Sequence, residues 1–440
     1  MKRYEKYKPS GIDWIGEVPE HWEVTRCRFI SRLLHGMSYT PKDVVSEGEG
    51  TLVLRASNIQ DSKLAFDDNV FIPSEMIPAQ KMTRKGDIVI CSTNGSLALC
   101  GKSALVKEDG LNLSFGSFMM VMRTDQNPIF IQYQLSQMVD LYRGLFATTT
   151  INQLTMDMLK DFSFILPPLA EQEAIAAYLD ARCADIDKVV ATQEKRIALL
   201  QELKQSEITQ AVTRGLNPDA RMKDSGVEWI GMVPEHWEVI PFKSKFKTDK
   251  GLSITKADLV DEGVPVISYG QIHSKQNDYV HTLDHLLRFI PEEMAPADSK
   301  AKLEIGDIVF ADTSEDVEGS GNAFYIDREG IYAGYHTVIA KSIERVDNKY
   351  FAYLFATPVW RSQVRSQVYG VKVFSITQQI LKSTSLIAPP VEERKQIVEV
   401  LEEKCARIDK QIEKIQNQIE LLREYKQALI TEVVTGKRKV

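Results

Sequence analysis

Side chains capable of chemistry occur along this chain, but never in a catalytic order. His281 and His285 stand four apart in HTLDH, one helical turn, which is a spacing that can hold a metal. No glutamate follows the first histidine, so the pair reads as an ordinary helical surface. Asp312, Glu315, Asp316 and Glu318 crowd one short stretch and read as a solvated acidic loop. Cys27, Cys91, Cys100, Cys183 and Cys405 are scattered with no CxxC pair, which points to neither a disulfide frame nor a zinc knuckle. The chain has no GxxxxGK[ST] phosphate loop, no HExxH and no GxSxG elbow. A methyltransferase acting on an amino group needs a glycine-rich cofactor loop and a tetrad such as [DN]PP[YF]. The double prolines here sit in LPPL and APPV and read as helix punctuation. The sequence therefore supports neither catalysis nor a metal site.

The frame that positions these residues is written twice. Residues 10–24 read SGIDWIGEVPEHWEV and residues 225–239 read SGVEWIGMVPEHWEV, with twelve of fifteen positions identical. KGDIVI at 85–90 is echoed by IGDIVF at 305–310. A longer echo runs from Pro167-Pro168 to Thr213 and from Pro389-Pro390 to Thr435, matching Cys183 with Cys405 and Asp187 with Asp409. Three collinear echoes make two copies of one scaffold. The stretches at about 30–150 and 245–370 share little beyond GDIV. The scaffold thus carries two different middles.

After each double proline the pattern is helical. Ile408, Ile412, Ile415, Ile419 and Leu422 step by alternating fours and threes, the seam of a coiled coil. Ile186, Val190, Gln193, Ile197 and Leu200 repeat that register with one polar interruption. Glu171, Glu173, Glu392 and Glu393 lie where a helix N-terminus favours negative charge. The helices should stop near Gly215 and Gly436. About 43 residues at 1.5 Å each make a rod of roughly 65 Å. So narrow an apolar stripe wants a partner helix, and two rods sharing a register pair most simply as an antiparallel coil with a pseudo-twofold axis.

The middles look α/β. Strands are expected at Asp87–Cys91, Ser163–Leu166, Asp307–Phe310 and Thr337–Ala340, and helices at Ile129–Leu145 and Lys349–Val368. The fold class is α/β (α+β): two globular domains at 1–165 and 217–387, each followed by a long helix at 166–216 and 388–440. Polar loops at Ser92–Ser96 and Asp312–Glu315 follow strands, the usual place for recognition. The first ten residues are polar and charged, and no apolar run approaches the roughly 20 residues of a membrane span, so a cytoplasmic protein is expected.

The paired SGxxWIGxVPEHWEV segments, the GDIV motif in each copy and the PPLAEQEAI and PPVEERKQI helix entries resemble the specificity (S) subunit of type I restriction–modification systems. The resemblance spans nearly the whole chain. It implies a non-catalytic subunit whose two middles are target recognition domains, each reading one half of an asymmetric bipartite site in double-stranded DNA. The helices would set the spacer and dock two methyltransferase (M) subunits, and restriction (R) subunits would add translocation and cleavage. S-adenosylmethionine would belong to the M subunits and ATP to the R subunits, Mg to partner subunits, and no cofactor to this chain.

Base edges in the major groove are read by Arg, Lys, Asn, Gln, Ser and Thr on positioned loops. The first copy offers Arg55, Asn58, Thr93, Asn94, Lys102, Thr149 and Asn152, and the second Tyr269, Gln271, Thr313, Ser314, His336 and Lys372. Against them stands the charge. The formal net charge is −7; residues 30–165 hold 12 Lys and Arg against 14 Asp and Glu, and residues 240–387 hold 17 against 19. Basic sets such as Lys81, Arg84, Lys85 and Lys243, Lys245, Lys247, Lys250 are small. Strong binding through counterion release is therefore not expected of this subunit alone. Two alternatives are a protein-interaction scaffold of the same architecture without DNA readout, and a standalone nuclease or methyltransferase with an unrecognised site.

Overall fold

A double proline opens each long helix and a left-handed glycine closes it. The structure is a computed structural model describing residues 3–147, 151–344, 348–370 and 372–440. Its long helices are Leu169–Arg214 and Val391–Val434, of 46 and 44 residues. Gly215 (φ +77°) and Gly436 (φ +71°) turn the chain out of helical conformation, as residues with a Cβ seldom do. No helix among the described residues is long and apolar enough to cross a membrane.

The chain divides into two compact units, Met1–Gln193 with Asn417–Val440, and Glu194–Gln416. The expected blocks at 1–165 and 217–387 each fall within one unit, and the helical blocks at 166–216 and 388–440 are divided between the two. Each long helix is shared between units, and the end of the second helix completes the first.

Within each unit the two helix segments run antiparallel. In the second, Lys204 Nζ meets the carboxylate of Asp409 at 2.7 Å and Lys404 Nζ that of Glu207 at 2.5 Å, so numbers rise on one helix as they fall on the other. In the first, Lys426 Nζ meets Asp187 at 2.6 Å. Asp187 aligns with Asp409, and Lys204 with Lys426, so this is one ion pair with the copies exchanged. The seam lies at the expected positions: Ile186, Ile408, Ile415 and Ile419 are buried, and Val190, Gln193, Ile197, Leu200, Ile412 and Leu422 are half-buried between exposed neighbours. Cys183 and Cys405 continue it as small buried apolar groups.

The duplicated SGxxWIGxVPEHWEV segment clamps helix ends. His21 Nε2 lies 2.8 Å from Glu171 Oε2, on the first turn of a long helix, and the Tyr4 hydroxyl donates to the same carboxylate. Trp22 is fully buried where the other helix ends, and a Cβ on Gly436 would meet Pro19 Cδ at 2.3 Å. In the second unit His236 Nε2 lies 2.8 Å from Glu393 Oε2, and Trp237 Nε1 donates to that oxygen at 3.0 Å. There a Cβ on Gly215 would lie 3.1 Å from the Trp237 ring. Each copy of the motif ties down the start of one helix and the end of the other.

The two middles have one topology. The first builds a four-stranded antiparallel sheet in the order Ser103–Leu105, Ile88–Cys91, Met119–Thr124, Ser31–His35. The second matches it with Ala323–Tyr325, Ile308–Ala311, Thr337–Ser342, Phe246–Lys250. A three-stranded sheet follows in each, centred on Thr51–Leu54 and on Val264–Ile267, with one parallel neighbour, Ser114–Phe115 or Tyr332–Ala333. Ser163–Leu166 and Ser385–Ala388 return the chain to the frame beside Glu23–Arg26 and Glu238–Pro241.

GDIV enters an inner strand of each four-stranded sheet. Gly86 and Gly306 take positive φ, and Asp87 and Asp307 each accept the backbone N–H three residues earlier, at 2.9 and 3.0 Å. The cores are filled differently. The first packs Met120, Met122, Leu135 and Met138 where the second packs Phe310, Phe355 and Trp360. The helix expected over Ile129–Leu145 is Pro128–Tyr142 with a 3-10 turn after it. The single helix expected over Lys349–Val368 is two, Asn348–Phe355 and Pro358–Arg365, because Pro358 cannot continue a helix and Thr357 caps a new one.

Candidate nucleic-acid interface

Three segments meet at one edge of each middle, and backbone hydrogen bonds fasten them. In the first unit the strand Ile88–Cys91 runs into Ser92, whose N–H and that of Thr93 both donate to Phe118 O, at 2.9 and 3.2 Å. Thr93–Asn94 then pairs antiparallel with Asn152–Gln153. Asn94 Oδ1 accepts Ser96 N at 2.9 Å, an Asx turn, and Asn152 Nδ2 donates to Gly95 O at 2.9 Å. The second unit builds the same junction. Asp312 N donates to His336 O at 3.1 Å, and Thr313–Ser314 pairs with Phe374–Ser375.

Equivalent arginines brace both loops from behind. Arg143 Nη1 donates to the carbonyls of Leu97, Ala98 and Cys100 at 3.1, 2.7 and 3.0 Å, and Arg365 donates to Glu318 O. Neither was foreseen from sequence, where each reads as a charge on a helix end.

The chemistry of the two edges differs. The first presents Gly95, Ser96, Phe118 and Ile151, with no acid among them. The second presents Glu315, Asp316, His336 and Lys372. Behind them, His273 Nε2 meets Thr313 O at 2.9 Å and its Nδ1 meets Asn322 Nδ2 at 3.0 Å, while Arg361 donates to Asn322 Oδ1. In this arrangement His273 Nε2–H can donate to Thr313 O while Nδ1 accepts from Asn322 Nδ2. Burial, with Glu315 and Asp316 adding to it, raises the Tyr269 hydroxyl above its ordinary pKa.

The expected readers divide by burial. Asn94, Asn152, Thr313 and Tyr269 are half-buried in these junctions, and His336 and Lys372 are exposed there. Arg55 is ion-paired to Asp68 at 2.7 Å, and Lys102 Nζ donates to Ile59 O at 2.8 Å. Four of the expected readers have buried side chains. Asn58 is fully buried, accepting Arg55 N at 2.9 Å and donating to Ala65 O at 2.9 Å. Gln271 plays the same part, accepting Ser268 N at 3.1 Å. Thr93 and Ser314 are buried by the strands they pair with. The amide that can read adenine also closes a tight turn, and here it closes the turn. Thr149 lies outside the described residues. Of the basic sets, Lys85 pairs with Glu108 at 2.5 Å, Lys81 Nζ donates to Gly36 O at 2.9 Å and Lys245 is buried against Glu344.

Two copies of one domain, each presenting a braced loop junction at an equivalent edge, define a duplicated recognition protein. The chain belongs to the family of the type I restriction modification DNA specificity domain, whose model matches residues 41–200 and 234–421. It is similar to the type I restriction enzyme EcoKI specificity subunit of Escherichia coli (strain K12), 25% identical across 96% of this chain and 90% of that one. It is 26% identical to the putative type I restriction enzyme MjaX specificity subunit of Methanocaldococcus jannaschii, across 97% and 96%. A chain solved in a study of complex assembly and conformational transition of the type I R-M system shares the fold, with a TM-score of 0.68 at 16% identity, covering 95% of this chain and 98% of that one. These relatives are specificity subunits, which disfavours a scaffold without DNA readout.

Proposed function

We propose that this chain is the non-catalytic sequence reader of a type I restriction–modification complex, each unit reading one half of an asymmetric, two-part duplex site. The observation that carries this reading is the pair of loop junctions, alike in backbone and unlike in side chains. Two equivalent edges suit two stretches of one duplex, and unlike tips make the two halves differ. The paired helices set the unread gap and dock two methyltransferase subunits, which bring S-adenosylmethionine and adenine methylation. Restriction subunits bring ATP, Mg and cleavage, and the assembly works in the cytoplasm. Neither middle is basic, so partner subunits supply much of the phosphate contact.

The test is co-expression of this chain with a methyltransferase subunit encoded beside it, followed by genome-wide mapping of methylated adenines. The expected result is a bipartite motif with a fixed gap. Methylation unchanged when this chain is omitted would sink the reading. The purified chain alone, given DNA, Mg and S-adenosylmethionine, should show no turnover.

A further inference from the structure

At each loop junction one exposed side chain stands on a turn whose backbone is tightly held. Phe118 is 60% exposed at the turn between Ser114–Phe115 and Met119–Thr124, and Ile151 beside the same junction is exposed as well. The equivalent turn in the second unit carries His336, also exposed. The backbone beneath is held tightly. A Cβ on Gly36 would come within 1.8 Å of Gly116 O, and one on Gly251 within 2.0 Å of Gly334 O, so in both units a glycine presses against the base of this turn. Met119 N closes the first turn on Gly116 O at 2.8 Å, and Thr337 Oγ1 closes the second on Gly334 O at 2.7 Å. Phe118 O and His336 O face the adjoining loop and accept its N–H groups, while the side chains stand in solvent. His336 has φ +53°, a left-handed conformation that a histidine adopts at some cost. A side chain on so fixed a support is placed to the precision that recognition needs.

We propose that this position is a base-reading position in both units: Phe118 makes apolar contact with a thymine methyl group, and His336 hydrogen-bonds a base edge. The inference rests on the function proposed above and assigns its chemistry to named atoms. A phenyl ring offers no hydrogen bond, and the thymine methyl is the one apolar feature of the major-groove edge. His336 Nδ1 lies 3.2 Å from Asp312 Oδ1. An imidazole that donates Nδ1–H to that carboxylate presents Nε2 as an acceptor, which matches the exocyclic amino group of adenine or cytosine. The exposed ring therefore has duplex DNA as its occupant.

The test uses the full chain with its methyltransferase partner and maps methylated sites for wild type, Phe118→Ala and His336→Ala. Phe118→Ala should relax one thymine-containing position of one half-site by about 5- to 10-fold, the lower range of what a mismatched pair costs. His336→Ala should relax one position of the other half-site. In each case the untouched half is an internal control for folding. Replacing that thymine by deoxyuridine in a synthetic duplex should weaken wild type by a similar factor and leave Phe118→Ala unaffected. A wild-type two-part motif kept at every position by both variants overturns this inference alone. Weakened assembly with the methyltransferase subunit, with every position of the motif still specified, also overturns it by assigning the ring to protein contact. A wild-type chain that specifies no motif overturns the proposed function together with it.

Discussion

Each unit ties its recognition domain to a long helix through a tyrosine, and the two ties are built differently. In the first unit Tyr133 OH donates to Asp180 Oδ1 at 2.9 Å. In the second, Tyr353 OH donates to Glu402 Oε1 at 2.6 Å, and that carboxylate also holds Lys349 at 2.9 Å and His281 at 3.2 Å. His281 reaches Asp278 at 2.7 Å through its other nitrogen. Burial pushes the Glu402 carboxyl up, but hydrogen bonds from His281, Tyr353 and Lys349 outweigh it and hold the pKa at about 2. Hydrogen bonds to Asp278 and then Glu402 raise His281 to about 9 against the opposing effect of burial. Duplication has kept the place of the tie while its chemistry has diverged from a neutral donor to a charged network. The loop tips follow the same rule, and the helix clamps much less so.

The clamps should break most severely and most alike. Trp22→Ala and Trp237→Ala each empty a fully buried indole site, at a cost of about 3–5 kcal/mol. Hydrogen exchange followed segment by segment should show the loss concentrated in the unit that carries the substitution. Equal loss in both units would mean that they do not have separate stabilities.

Gly436→Ala should cost more than Gly215→Ala, because the first brings a methyl to 2.3 Å from a proline ring and the second to 3.1 Å from an indole. Both also impose positive φ on alanine, so the expected costs are about 2 and about 1 kcal/mol. A reversed order in thermal unfolding would contradict the packing described.

The charged tie makes the second unit the more pH-sensitive. The folded pKa of His281 lies above its ordinary 6.5, so its contribution is complete below 6.5 and lost as pH rises through about 9. Glu402 is depressed from 4.5, so its contribution is complete above 4.5 and lost as pH falls toward about 2. The network is therefore fullest between about 4.5 and 6.5. His281 is 39% exposed at the side chain, and solvent screening keeps the effect below about 1 kcal/mol. His281→Gln should flatten the decline in the second unit's melting temperature between pH 6.5 and pH 9. An undiminished decline would place the sensitivity elsewhere.

The smallest effect belongs to the exchanged ion pair. Lys204→Ala and Lys426→Ala should each cost about 0.5 kcal/mol and match one another, since both remove the same partly exposed pair. A clear inequality between them in denaturant melts would show that the helix pairing is less alike than its register.

Periodicity and offset made the frame legible in the sequence. The seam from Ile408 to Leu422 and the stops at Gly215 and Gly436 follow from spacing and from glycine alone. The likeness of the middles was not legible, because Asn58 and Gln271 close the same turn with different side chains, and methionine fills one core where phenylalanine and tryptophan fill the other. At the candidate interface, Asn94, Asn152, His336 and Lys372 were visible as polar loop residues. Asn58 and Gln271 are polar loop residues too, but their side chains are buried and close turns. Phe118 carried no signal, since an apolar residue at the mouth of a strand reads as core, and only its solvent exposure sets it apart.

The interleaving of the units bears on how the protein comes to exist. Residues Asn417–Val440 complete the first unit, whose earlier portion ends at Gln193. At 5–20 residues per second, a ribosome takes about 10–45 s to make the intervening stretch. Throughout that interval the apolar faces of Val18, Trp22 and Ile175 lack Leu429, Ile430 and Val433, which later share their core. The second unit, made of one uninterrupted stretch, is under no such wait, so the domain translated first is the one finished last.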